Sequence, residues 1–105
     1  MNLDERVQTA ILIKYYGKLL TEKQKNILSM YVDNNLSLSE VSEELGISRQ
    51  AVKDALDNSL QTLKSTEEKL KFIARDEKIK NIIENKTENE ISMIAKLQII
   101  ALLEE

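Results

Sequence analysis

The chain has 105 residues, two glycines, no proline, no cysteine and no histidine, and a formal net charge of −3. These numbers exclude a disulfide framework, a zinc site built on thiolates, histidine-based catalysis and a protein that coats nucleic acid by bulk positive charge. Plentiful Leu, Ile, Lys, Glu and Ala point to an all-α protein, one domain or a domain with an extension, large enough for a modest core. No apolar stretch reaches the length of a membrane span, and the opening MNLDERV is too polar for a secretory signal, so a cytoplasmic protein without a membrane partner is expected.

The first helix is expected from Leu3 to about Tyr16, with Val7, Ala10, Ile11 and Ile13 or Lys14 at helical spacing and Gly17 just beyond it. Thr21 and Gln24 have the spacing of a capping box, which opens a second helix with Ile27, Leu28, Tyr31 and Val32 facing inward. Asp33, Asn34 and Asn35 end it, because their short polar side chains compete with the backbone for hydrogen bonds. Ser37 and Glu40 form a second box and start a short third helix, Leu38 to Leu45. Gly46 follows where the chain must turn sharply, and Ser48 caps a fourth helix beginning at Arg49. Two helices joined by a short glycine-led turn are the helix-turn-helix unit.

Residues 36–57, LSLSEVSEELGISRQAVKDALD, meet that unit's demands at several independent positions. Val41 and Leu45 point inward from the third helix, Ile47 plugs the turn, Val52 and Leu56 return from the fourth, and Ser42 is small where the helices approach. The fourth helix keeps its apolar phase through Leu63, Leu70 and Ile73 to about Ala74, a rod of roughly 39 Å, with a break expected near Asp76. Asn85, Lys86 and Thr87 read as a turn, with Thr87 and Glu90 as a further box. The last helix, ISMIAKLQIIALLEE, is apolar nearly all round and needs cover.

The stretch LLTEKQKNILSMYVDNNLSLSEVSEELGISRQAVKDAL resembles region 4 of bacterial sigma factors. It more closely resembles the YlxM family, helix-turn-helix proteins whose genes neighbour those of the signal recognition particle pathway. The resemblance spans about residues 8 to 75, including EEKL at Glu67–Leu70, and the final thirty residues match poorly. It implies an all-α protein with a sigma region 4-type helix-turn-helix, a long fourth helix and a C-terminal helical extension. It also implies a bacterial, cytoplasmic, dimeric protein with a role in the signal recognition particle pathway. Family members often carry bases where this chain has Asp57 and Asn58.

In helix-turn-helix complexes the exposed start of the second helix of the motif reads base edges. Arg49, Gln50 and Lys53 occupy that start, with Ser48 offering its hydroxyl or the helix N-terminus to a phosphate. Double-stranded DNA is therefore one expected partner. Charge opposes it: residues 37–63 hold two bases and five acids, and opposite charge on the ligand face works against approach to phosphates. Surface pairing of Arg49 and Lys53 with Glu44 or Asp57 is the alternative role. A basic row of Arg49, Lys53, Lys64, Lys71 and Arg75 is interrupted by Asp57, Glu67 and Glu68, so it reads as a solvated face.

Asp33, Asn35, Ser37, Ser39 and Glu44 have calcium-loop spacing, but Leu38 stands where the loop needs glycine, so no metal or other cofactor is expected. With no phosphate cradle and no acid–base pair, the protein reads as a non-enzyme. The domain division expected is 1–62 for the helix-turn-helix and 63–105 for an extension. The apolar surplus of residues 63–103 suggests a homodimer interface, an intramolecular hairpin being the other way to cover it. Components of the signal recognition particle are the other expected partners.

Overall fold

The computed structural model describes residues 1–84 and 93–104. Helix α1 spans Leu3–Tyr16, α2 Glu22–Leu28, α3 Leu38–Leu45, α4 Arg49–Leu70, α5 Phe72–Glu84 and α6 Met93–Leu103, with no strand among the described residues. The turn expected at Asn85–Thr87, the Thr87/Glu90 box and the side chain of Ile91 lie outside the described residues. The chain divides into two compact units, Met1–Leu70 and Lys71–Glu105.

In the first unit each helix begins where a side chain takes an otherwise unpaired backbone N–H. The Asn2 side-chain Oδ1 accepts from the Glu5 amide at 2.8 Å and opens α1. Thr21 and Gln24 close a reciprocal capping box at the start of α2, and Ser37 and Glu40 do the same for α3. Each such cap contributes about 1 kcal/mol. After Leu28 the second helix widens into a π-helical turn, Ser29–Asp33, whose end is marked by the Asn34 amide donating to the Ser29 carbonyl at 3.1 Å. Asn35 then takes a left-handed φ of 56°, which asparagine tolerates better than most residues. The Arg6 guanidinium donates to the Val32 carbonyl through Nε at 3.2 Å and Nη2 at 2.5 Å, which ties α1 to the end of that widened turn.

The core of this unit is Tyr16, Leu20, Ile27, Leu28, Val32, Val41, Val52, Leu56 and Leu63, all buried. Ile27, Leu28 and Val32 face inward as the sequence predicts, with Tyr31 half-buried. Val41, Val52 and Leu56 are buried across the α3–α4 corner, while Leu45 and Ile47 are half-buried at its edge. Ser59, fully buried in α4, keeps its hydroxyl satisfied by donating to the Ala55 carbonyl at 2.6 Å.

Helix α1 has the expected bounds; it turns Thr9 and Tyr16 inward, while Val7, Ala10 and Ile11 are exposed and Ile13 is half-buried. Apolar side chains lie on several sides of this helix, so spacing alone does not choose its buried face. Two expectations are corrected. Helix α4 ends at Leu70, not near Ala74: Lys71 adopts φ 56°, breaks the helix there, and its carbonyl accepts the Arg75 amide at 2.9 Å to start α5. Leu63 is fully buried in its own unit and has no surface to offer a second chain.

In the second unit α5 and α6 touch, and Ala95 of α6 is buried. Arg75 stacks its guanidinium 5.1 Å from the Phe72 ring centre and pairs with Asp76 at 3.1 Å. Phe72, Ile83, Ile94, Leu97, Ile100 and Leu103 remain exposed. No described helix is long and apolar enough to cross a membrane.

Candidate nucleic-acid interface

The corner between α3 and α4 is built from its backbone outward. Gly46 sits at φ 67°, ψ 32°, in the left-handed region, and its N–H donates to the Ser42 carbonyl. The Ile47 amide reaches the same carbonyl at 3.1 Å, a six-to-one closure of the Schellman type that stops α3. A Cβ at position 46 would meet nothing within 4 Å, so conformation rather than crowding selects glycine. Ser42 lies half-buried beside the corner, its hydroxyl donating to the Ser39 carbonyl at 2.8 Å.

Ser48 caps α4, its Oγ accepting the Ala51 amide at 3.0 Å and its carbonyl the Val52 amide at 3.1 Å. The cap leaves the hydroxyl hydrogen available to donate outward. Ser48, Arg49, Gln50 and Lys53 are all exposed, on the cap and first turns of α4. Arg49 makes no hydrogen bond or ion pair with any described side chain.

The other two candidate readers are engaged. Gln50 donates through Nε2 to Asp54 at 2.9 Å, and Lys53 pairs with Asp57 at 3.0 Å. Both partners lie one turn ahead, the spacing at which helix side chains meet. The pairing of Lys53 with Asp57 is one of the two alternatives the sequence leaves open, and Glu44 does not take part. The Gln50–Asp54 contact uses the same four-residue spacing. The Lys53–Asp57 pair is more than half exposed on both sides, so it is worth only about 0.3–0.5 kcal/mol. That is small beside the roughly 1–3 kcal/mol of a good bidentate base contact.

Both helices of the corner carry exposed acids. Lys53 and Asp57 line a shallow depression with Met1, Glu5, Tyr31, Leu38, Leu56 and Leu60. On α3, Glu40, Glu43 and Glu44 are exposed. The basic row does not extend along one helix: Lys71 leaves α4, Arg75 belongs to α5, and Glu67 on α4 accepts a hydrogen bond from the Tyr16 hydroxyl at 2.5 Å. The positions with calcium-loop spacing include the N-cap and body of α3, and no group of His, Cys, Asp and Glu among the described residues is arranged to hold a metal ion.

A family model described as "Putative helix-turn-helix protein, YlxM / p13 like", UPF0122, matches residues 3–103. It extends well past the residues 8 to 75 that carry the resemblance in the sequence and takes in most of the final thirty. A UPF0122 protein of Clostridium kluyveri is 44% identical over 84 residues, covering 80% of this chain and 73% of that protein. One from Halalkalibacterium halodurans is 36% identical over 102 residues, 97% of this chain and 94% of its own. One from Desulforamulus reducens is 41% identical over 75 residues, 70% and 64% respectively. With an all-helical body, a glycine-led corner and this agreement along nearly its whole length, the chain belongs to the UPF0122 family of YlxM / p13-like helix-turn-helix proteins.

Proposed function

We propose that this protein is a cytoplasmic, non-enzymatic helix-turn-helix regulator of the signal recognition particle pathway. In this reading it is a homodimer that binds duplex DNA through the leading end of α4, with α1–α4 disposed as in sigma-factor region 4, and it needs no cofactor. One observation carries the DNA reading: the left-handed corner at Gly46 leaves Ser48, Arg49, Gln50 and Lys53 on an exposed helix start, with Arg49 uncommitted. A free guanidinium at that place has the geometry for the O6 and N7 atoms of a guanine in the major groove. Ser48 donates to a phosphate, and Gln50 and Lys53 exchange weak intrahelical partners for nucleic acid. The neighbourhood of YlxM genes supports assigning the regulation to the signal recognition particle pathway. Promoter fragments from that neighbourhood, titrated at low salt in a mobility-shift assay, test it: Arg49→Ala relaxes discrimination at one base pair by about 1–3 kcal/mol, and affinity falls steeply with salt. Absence of a shift on every fragment ends the DNA reading.

The acids favour a second reading, in which the same corner is a scaffold for protein contact. Asp54 and Asp57 occupy two of the candidate readers, and Glu40, Glu43 and Glu44 stand exposed on α3. Such a face suits a basic surface of the signal recognition particle. Retention of the particle's GTPase or RNA on the immobilised protein, lost on reversing Glu43 and Glu44, supports it; no retention removes it.

A further inference from the structure

The two engaged side chains at the start of α4 are held in ways that differ chemically. Lys53 gives its ammonium to Asp57 at 3.0 Å, and Gln50 gives its amide Nε2 to Asp54 at 2.9 Å. An ammonium carries equivalent donors and no acceptor, so pairing it conveys no orientation. A primary amide has two unlike ends, a carbonyl oxygen that accepts and an NH2 group that donates. Its partner therefore decides which end faces where.

Base recognition depends on that choice. A glutamine that offers its carbonyl and one N–H together matches the N6 amino group and N7 of adenine. Turned to lead with its NH2 group, it donates instead to O6 or N7 of guanine, so an unrestrained glutamine is an ambiguous reader. An ionised carboxylate accepts hydrogen bonds and donates none, so Asp54 admits only the NH2 end of Gln50 opposite Oδ1. Turning the amide over would set Oε1 against Oδ1, two acceptors with no proton between them. With one N–H held, Gln50 keeps its carbonyl and a single N–H, the pair that adenine requires. The charge of Asp54 also disfavours the two acceptors on the guanine edge. Both residues are exposed, four positions apart on the first turns of α4, where bases are read.

We propose that Asp54 is a positioning residue that locks the Gln50 amide and makes it a reader of adenine rather than guanine. This role rests on the reading of α4 as a DNA-binding helix, and adds which base the second reader selects and what enforces the choice. Arg49, with donors alone, suits the two acceptors of guanine, so adjacent readers select different purines. Asp57 lowers the charge beside Lys53 and sets no base preference.

Mobility shifts with the full chain, on a bound promoter fragment in which every base pair is substituted in turn, test the proposal. One position is expected to prefer adenine to guanine on the order of tenfold, and Gln50→Ala abolishes that preference. Asp54→Ala lowers the preference about threefold or more while overall affinity holds or rises, because an acid has left the interface. Asp54→Asn has the same effect despite its matching shape, since an amide partner also donates and lets Gln50 turn over. Asp57→Ala strengthens binding to all fragments alike and leaves the preference intact. In the free protein, Asp54→Ala shifts the Gln50 side-chain Nε2 proton signals toward those of an unrestrained glutamine, with helical circular dichroism unchanged. Binding whose adenine preference survives Asp54→Ala overturns the role of Asp54 and leaves the DNA reading standing. No binding to any fragment overturns both.

Discussion

The bends at Gly46 and Lys71 share a left-handed φ, 67° and 56°, and have opposite surroundings. The first is held by a core: Val41 and Val52, a few residues to either side of it, are fully buried, and the Ser42 carbonyl takes two amides across the corner. The second is held by nothing comparable, for its neighbours Leu70 and Phe72 are 49% and 41% exposed. A left-handed residue inside a packed corner is a fixed elbow whose cost is borne by packing on both sides. A left-handed lysine between exposed residues lacks such packing on either side of it, and its carbonyl accepts the Arg75 amide at 2.9 Å.

The contrast breaks first at the core that distinguishes the two regions. Leu63→Ala should destabilise the protein by about 2–5 kcal/mol, read from denaturant unfolding of the helical signal, whereas Leu70→Ala should change it by less than about 0.5 kcal/mol. Equal effects would mean that α4 is packed evenly to its end and that the two bends are not different in kind. Next in size is Gly46→Ala. With open space around the new methyl, only the left-handed conformation resists it, and a loss of about 1–2 kcal/mol is expected. A loss near zero would say that the corner relaxes to another conformation. The smallest effect has the opposite sign. Lys71→Gly removes a Cβ from a left-handed position and should stabilise by a few tenths to about 1 kcal/mol, partly offset by the freer unfolded chain. A destabilisation there would show the lysine side chain to be a support rather than a burden.

The same contrast accounts for what could be read from the sequence. Features fixed by a side chain and a backbone group three or four residues apart were legible: the Thr21/Gln24 and Ser37/Glu40 boxes, the Ser48 cap, and the Gly46 corner with its own residue type as signature. The break at Lys71 has no such mark, because lysine is a good helix former and the apolar phase runs on through Ile73. The buried face of α1 was hidden for a related reason, its apolar residues lying on several sides. Long-range ties such as Arg6 to Val32 and Tyr16 to Glu67 join residues 26 and 51 positions apart and leave no local pattern. In the candidate site the exposed positions followed from the motif. Their partners Asp54 and Asp57 also stood at legible spacing, but which of several neighbouring acids each reader would choose is settled by rotamers.

The hydrogen bond between Tyr16 and Glu67 has a mechanical meaning for the far end of its helix. Arg49 and Glu67 belong to one uninterrupted α4, about 27 Å apart along the axis. If the helix turns as a stiff beam about its attachment to Tyr16, a swing of about 5° carries the guanidinium end about 2 Å. That displacement is enough to take it out of hydrogen-bonding range of any fixed target. The aim of the leading turn would then depend partly on an anchor five helical turns behind it, in addition to the buried Val52, Leu56 and Leu63 between the two.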